Sequence, residues 1–176
     1  MRDYFQRSRA ILLVIPALLI LMLVCAAPVS AQTVDITRSG DIAVMQLKPG
    51  QTNSDTSVTL TVTADGPFYI KVRDDMRGPK PELSGGQMVD YDIVGATYGT
   101  AKLAAAMGVT GTTSGNTVAS AVNTLTDTDQ ILYTGGNNVK DQVLALSFNQ
   151  LVAYTDARLP AGHAYRIRVL FIGSPQ

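Results

Sequence analysis

Over residues 57–63 the chain alternates polar and apolar residues without a break, placing Val58, Leu60 and Val62 on one side and threonines on the other. Only an extended strand keeps such a period-two set on a single buried face, so this segment constrains the fold more than any other. After Asp65-Gly66-Pro67 the alternation resumes: Phe68, Ile70 and Val72 oppose Tyr69, Lys71 and Arg73 over residues 68–73. The short turn between two alternating segments predicts a hairpin. An earlier strand is expected over 42–47, ended by Lys48-Pro49-Gly50. Toward the end of the chain, residues 143–149 set Leu144, Leu146 and Phe148 on one face, 151–155 follow closely, and Leu159-Pro160-Ala161-Gly162 makes a turn. A long last strand is expected over 163–172, with Tyr165, Ile167, Val169 and Phe171 on one side and Arg166 and Arg168 on the other. Leu170 and Ile172 make its end apolar on both sides, which favours a central, fully buried strand over an open edge that pairs with a neighbouring subunit.

The middle admits two readings. Residues 100–107 contain good helix formers behind a threonine, yet Leu103, Ala105, Met107 and Val109 also alternate. Glycines at Gly95, Gly99, Gly108, Gly111 and Gly115 favour the strand, because each costs a helix backbone entropy. Residues 118–125 and 130–133 add strand candidates before a Gly135-Gly136-Asn137-Asn138 turn. Short strands, frequent turn residues and no long amphipathic helix predict an all-β fold, an antiparallel β-sandwich of immunoglobulin-like type. No fixed repeat period points to a solenoid or propeller.

Ahead of this domain stands a three-part leader. Residues 1–9 are polar with three arginines, 10–24 are apolar and uncharged, and 26–31 are small residues around Pro28. That order is the order of an export signal with a hydrophobic helix, and small residues at Val29 and Ala31 predict cleavage between Ala31 and Gln32. The expected organisation is a leader over 1–31 and one domain over 32–176. A retained membrane anchor over residues 10–27 is the alternative, since that stretch has about the ~18–20 residues a bilayer crossing needs. Both readings put the domain outside, extracellular or at the cell surface. The only cysteine, Cys25, lies in the leader, so the domain must be held by packing without disulfides. From Gln32 onward there are 11 basic and 13 acidic residues. With no basic cluster to neutralise phosphates, nucleic acid is not an expected partner, and membrane contact is expected only through the N-terminal segment.

The order of leader, SVTLTVTA at 57–64, FYIKVRD at 68–74, a Gly-rich middle and LPAGHAYRIRVLF at 159–171 resembles secreted archaeal and bacterial cell-surface β-sandwich proteins of WxL-like or immunoglobulin-like type. The chain has no tryptophan, so it lacks the motif that names the WxL family and any wall-binding role tied to it. The resemblance implies a surface or matrix component with no catalytic residues to carry over. Filament-forming sandwiches of the TasA-like kind, in which strands pass between subunits, are a related type.

Residues with chemistry are few. His163 is the single histidine, so a site of two imidazoles is excluded. A Ser-His-Asp set is formally possible, but no nucleophile elbow is present, and a surface histidine at a strand head is the plainer expectation. Carboxylates pair at Asp74 and Asp75, at Asp90 and Asp92, and at Asp127 and Asp129. Such pairs suit acid and base roles only if folding sets their separation, and solvated loop ends are their ordinary state. Asp127, Asp129, Asp90 and Asp92 are the calcium candidates, because alternate spacing lets two hard oxygen ligands converge. No other cofactor is expected. Tyr69, Tyr91, Tyr98, Tyr133, Tyr154 and Tyr165 either fill core and edge positions or line a carbohydrate face by stacking. The functional expectation is a non-enzymatic surface protein with a structural or interaction role, whose partners are envelope or matrix proteins or further copies of itself. A carbohydrate- or calcium-binding module is the alternative, and an exported hydrolase ranks below both.

Overall fold

In the computed structural model the alternating segment at 59–64 is a strand whose apolar side is sealed, with Leu60 and Val62 each only 1% exposed. The structure describes residues 31–42, 45–75, 85–114 and 120–176, and Gln32–Gln176 form one compact unit. The expected leader, residues 1–30, lies outside the described residues. Among the described residues no helix is long enough and apolar enough to cross a membrane, and there is no helix of any kind.

Twelve strands, all paired antiparallel, make three sheets among these residues. The largest contains β1 (Val34–Arg38), β3 (Thr59–Ala64), β10 (Val139–Val152), β7 (Gly108–Thr113) and β8 (Ser120–Val122) in that order, with β2 (Gln51–Asp55) paired to the far end of β10. A second runs β12 (Val169–Pro175), β4 (Phe68–Asp74), β9 (Gln130–Gly135), and a third runs β11 (His163–Arg166), β5 (Gln87–Asp92), β6 (Thr97–Ala106). Inner residues of all three sheets meet in one hydrophobic core, from Leu60 and Val62 through Phe68 and Ile70 to Leu103 and Leu146. The fold class is therefore all-β and antiparallel, and residues 100–106 are strand rather than helix.

The structure corrects four local expectations. β3 and β4 do not form a hairpin: β3 is flanked by β1 and β10, β4 by β12 and β9. The Asp65-Gly66-Pro67 turn carries the chain from one sheet to another, so that Val62 and Ile70 reach the core from different sheets. Gln32 and Thr33 brace that turn, through bonds from the Gln32 amide to the Pro67 carbonyl and from the Thr33 N–H to Asp65 Oδ1. Second, Ile42 and Met45–Leu47 are not in a strand; the strand comes later, at the polar β2. Buried Asn53 organises it, its Oδ1 accepting from the Lys48 N–H at 2.8 Å while Nδ2 reaches the Gln150 carbonyl at 3.3 Å.

Third, the long last strand is two. β11 pairs β5, residues 167 and 168 leave strand geometry, and β12 pairs β4. Alternation nevertheless persists through the break, and Tyr165, Ile167, Val169 and Phe171 all pack against the core. Fourth, β12 is the outer strand of its sheet, half-buried rather than central. Residues 143–149 and 151–152 merge into the single strand β10.

One knot of backbone bonds joins the end of β4, the start of β5, the β6–β7 junction and the loop between β8 and β9. Asp74, 1% exposed, accepts from the Gly86 N–H at 2.8 Å. The Gly86 carbonyl accepts from Met107, the Met107 carbonyl from Leu125, and the Asp74 N–H donates to Thr126. Gly86 has φ +81, and a Cβ there would fall onto the Leu125 carbonyl oxygen. Only glycine meets both demands.

Candidate functional site

The third sheet carries the densest chemistry. Its central strand β5 alternates Met88, Asp90 and Asp92 on one face with Val89 and Tyr91 on the other. Residues paired in register share a face, so His163 lies across from Asp92 and Tyr165 across from Asp90. His163 Nδ1 is 2.7 Å from Asp90 Oδ1, with side-chain exposures of 26% and 13%. A carboxylate accepts, so the imidazole donates through Nδ1–H, leaving Nε2 free to accept a proton. Gly99 makes room for this pair: a Cβ there would overlap the Asp90 carboxylate.

Asp92 closes the β5–β6 turn. Its Oδ1 accepts from the Val94 N–H at 2.9 Å and the Gly95 N–H at 3.0 Å. The bond from Gly95 holds its carboxyl below the usual value of 3.8; partial desolvation opposes this, and the Val94 bond and the nearby His163 reinforce it. Tyr165 donates to the Ala157 carbonyl at 2.6 Å. Its hydroxyl is pushed above the usual 10.0 by burial first, then by the negative charges of Asp156 and Asp90.

The other face of the sheet is aromatic and cationic. Tyr91 and Tyr98 are register partners whose rings meet edge to face, with centroids 5.0 Å apart. The Arg166 guanidinium lies 4.5 Å from the Tyr91 ring centroid, within cation–π range.

Of the calcium candidates, the structure places Asp90 and Asp92 together on β5, and Asp127 and Asp129 in the loop between β8 and β9. Asp129 is engaged by Arg73 at 3.3 Å, Asp90 by His163, and Asp92 by two backbone amides. Among the described residues, no group of three or more histidine, cysteine or acidic side chains is arranged to hold a metal ion. The Asp74 and Asp75 pair is not a solvated loop end: Asp74 is buried in the backbone knot, and Asp75 pairs with Arg168 at 3.3 Å. His163 and an aspartate do meet, as a triad requires, but among the described residues no serine hydroxyl is hydrogen-bonded to the imidazole. What the pair offers, among the described residues, is an oriented imidazole with no hydroxyl or thiol hydrogen-bonded to it.

The tyrosines divide by role. Tyr133 packs on Phe68 with centroids 6.0 Å apart, Tyr154 is 85% exposed with its ring over Gly50, and Tyr91 and Tyr98 form the outer pair. Sequence reasoning missed the joining of Arg166 to that pair. The available signal was the Asp-Tyr-Asp order itself, which in a strand sends the ring to the side opposite both carboxylates. Set beside known proteins, the chain matches no protein-family model, no curated protein and no solved structure.

Proposed function

We propose that the chain is an exported, non-enzymatic protein whose domain, an immunoglobulin-like β-sandwich, serves a structural or interaction role in the cell envelope. The leader of residues 1–31 takes it across the membrane and is removed between Ala31 and Gln32. The observation that carries the interaction role is the edge strand β12: its residues Leu170, Phe171 and Ile172 pair with β4 on one side only, and an apolar edge of this kind suits addition of a further strand or partner. Exposed Ile93, Val94 and Tyr154 add to the apolar surface available for contacts. Passage of the chain from β3 to β4 between sheets that share one core supports the sandwich.

A carbohydrate-binding module is the second reading, favoured by the Tyr91 and Tyr98 pair. It is preferred to a calcium module because three of the four candidate carboxylates already have protein donors. Intact-mass measurement of the protein recovered outside the membrane, followed by sizing chromatography, tests the proposal. A mass beginning at Gln32, with elution as an oligomer or with envelope material, is the expected result. Recovery of the full-length chain as a dissolved cytosolic protein overturns it.

A further inference from the structure

The two faces of the β11-β5-β6 sheet separate charge by sign. On the inner face Asp90 and Asp92 stand with His163, while pairing on the outer face sets Arg166 and Lys102 on either side of Val89, itself buried at 3% exposure, and, across a register shift between β5 and β6, Ala164, Tyr91 and Tyr98 in the next row. Arg166 and Lys102 are exposed, and Tyr91 and Tyr98 are half-buried. Arg38, Arg73 and Arg168 each pair with an aspartate. Arg166 and Lys102 have no carboxylate partner among the described residues, and the acids of their own sheet point the other way. The patch thus offers two uncompensated cations, two inter-strand spacings or about 10 Å apart, beside a fixed pair of aromatic rings.

We propose that this outer face binds an acidic polysaccharide, a chain of sugars bearing carboxylates. Tyrosine rings take up the apolar C–H faces of sugar rings; Tyr98 offers that platform, while Tyr91, with Arg166 over its ring, fixes Tyr98 through the edge-to-face contact before the ligand arrives, which lowers the ordering cost. Stacking on Tyr91 holds the Arg166 guanidinium in place, and its planar fork suits two-point pairing with a carboxylate. Lys102, two strands across from Arg166, supplies a point charge for a second acid group along a repeating polymer. Two cations are too few to track a nucleic acid backbone, whose affinity depends on many neutralised phosphates. The proposal rests on the reading that the domain works outside the membrane, where such polymers are met.

Affinity electrophoresis of the purified chain in gels containing polygalacturonate tests it, with dextran as the neutral control and poly-glutamate as the acidic peptide control. Retardation by polygalacturonate but not by dextran is expected, and it should vanish toward about 1 M salt, where charges are screened beyond ~3 Å. Arg166→Gln should weaken binding about tenfold, the usual loss for one charge-assisted pair, and Lys102→Gln by a smaller factor. Both positions are exposed, so these variants keep the fold, with thermal melts as the check; Tyr98→Ala should also weaken binding. Absence of retardation, equal retardation by dextran, stronger retardation by poly-glutamate, or unchanged binding by Arg166→Gln each overturns the inference. A correctly exported and processed chain that fails to bind removes this inference alone. A cytosolic chain removes the export reading and leaves the binding result standing.

Discussion

β4 and β5 hold the same rank in the fold, each being the middle strand of a three-stranded antiparallel sheet whose outer neighbour comes from the same C-terminal run, β12 for one and β11 for the other. Their inner faces differ. β4 turns Phe68, Ile70 and Val72 inward, all at 0% exposure. β5 begins the same way with Met88 and then turns Asp90 and Asp92 inward, where they meet an imidazole and a turn. One strand holds its sheet by excluding water, the other by satisfying polar groups, and only the second leaves chemistry on the surface. A period-two pattern thus fixes which side a residue takes, and the identity of the inward residues decides whether that side becomes core or site.

The contrast can be broken by substitution, beginning with the largest effect. Phe68→Ala should cost about 3–5 kcal/mol in denaturant unfolding, since it empties a fully enclosed ring position. A cost below that of an exposed apolar truncation would show that β4 is not the packed strand described. Asp90→Ala should cost less, roughly 1–3 kcal/mol, the price of leaving a partly buried donor on His163 without its acceptor. Pairing it with His163→Ala in a double-mutant cycle sharpens the point, because additive losses would mean that the two side chains do not act together.

Smaller changes probe the β5–β6 turn. Ala96 sits at φ 51, where a Cβ is disfavoured, so Ala96→Gly should raise stability by about 0.5–1 kcal/mol. A fall in stability would place that backbone outside the left-handed region. Ile93→Ser with Val94→Ser should move stability by no more than about 0.5 kcal/mol, because both side chains already face solvent. The weakest effect is the pH dependence from Asp92. Its folded carboxyl lies below the unfolded value, so its contribution is complete above pH 3.8 and is lost as pH falls through the lowered value. Tyr165 runs the other way, its contribution complete below pH 10.0 and lost as pH rises through its raised value. Stability–pH curves of wild type and Asp92→Asn should run parallel above pH 3.8, offset by the lost contribution, and draw together only at the low end; curves whose separation changes near neutrality would contradict the assignment.

β3 and β4 were readable because every second residue is apolar, which has one structural solution. Their partners were not readable, since a Gly-Pro turn serves equally to return within a sheet or to cross to another. β2 was hidden by its sequence, Gln-Thr-Asn-Ser-Asp, which has no apolar residue; pairing with β10 and the Asn53 amide create it. The break at residues 167 and 168 was hidden for the opposite reason, because alternation runs through it undisturbed. At the site, Asp90 and Asp92 stood out by their spacing, but His163 lies 73 positions from Asp90, and no local pattern reports a contact formed by strand pairing.

The division of the C-terminal run between two sheets also bears on the order of assembly. Until residues 163–175 have been synthesised, β4 and β5 each lack one flanking strand, so neither three-stranded sheet can be completed on a partial chain. Cotranslational intermediates should therefore stay loose and open to proteases up to that point, and both sheets should then gain protection within the same late step.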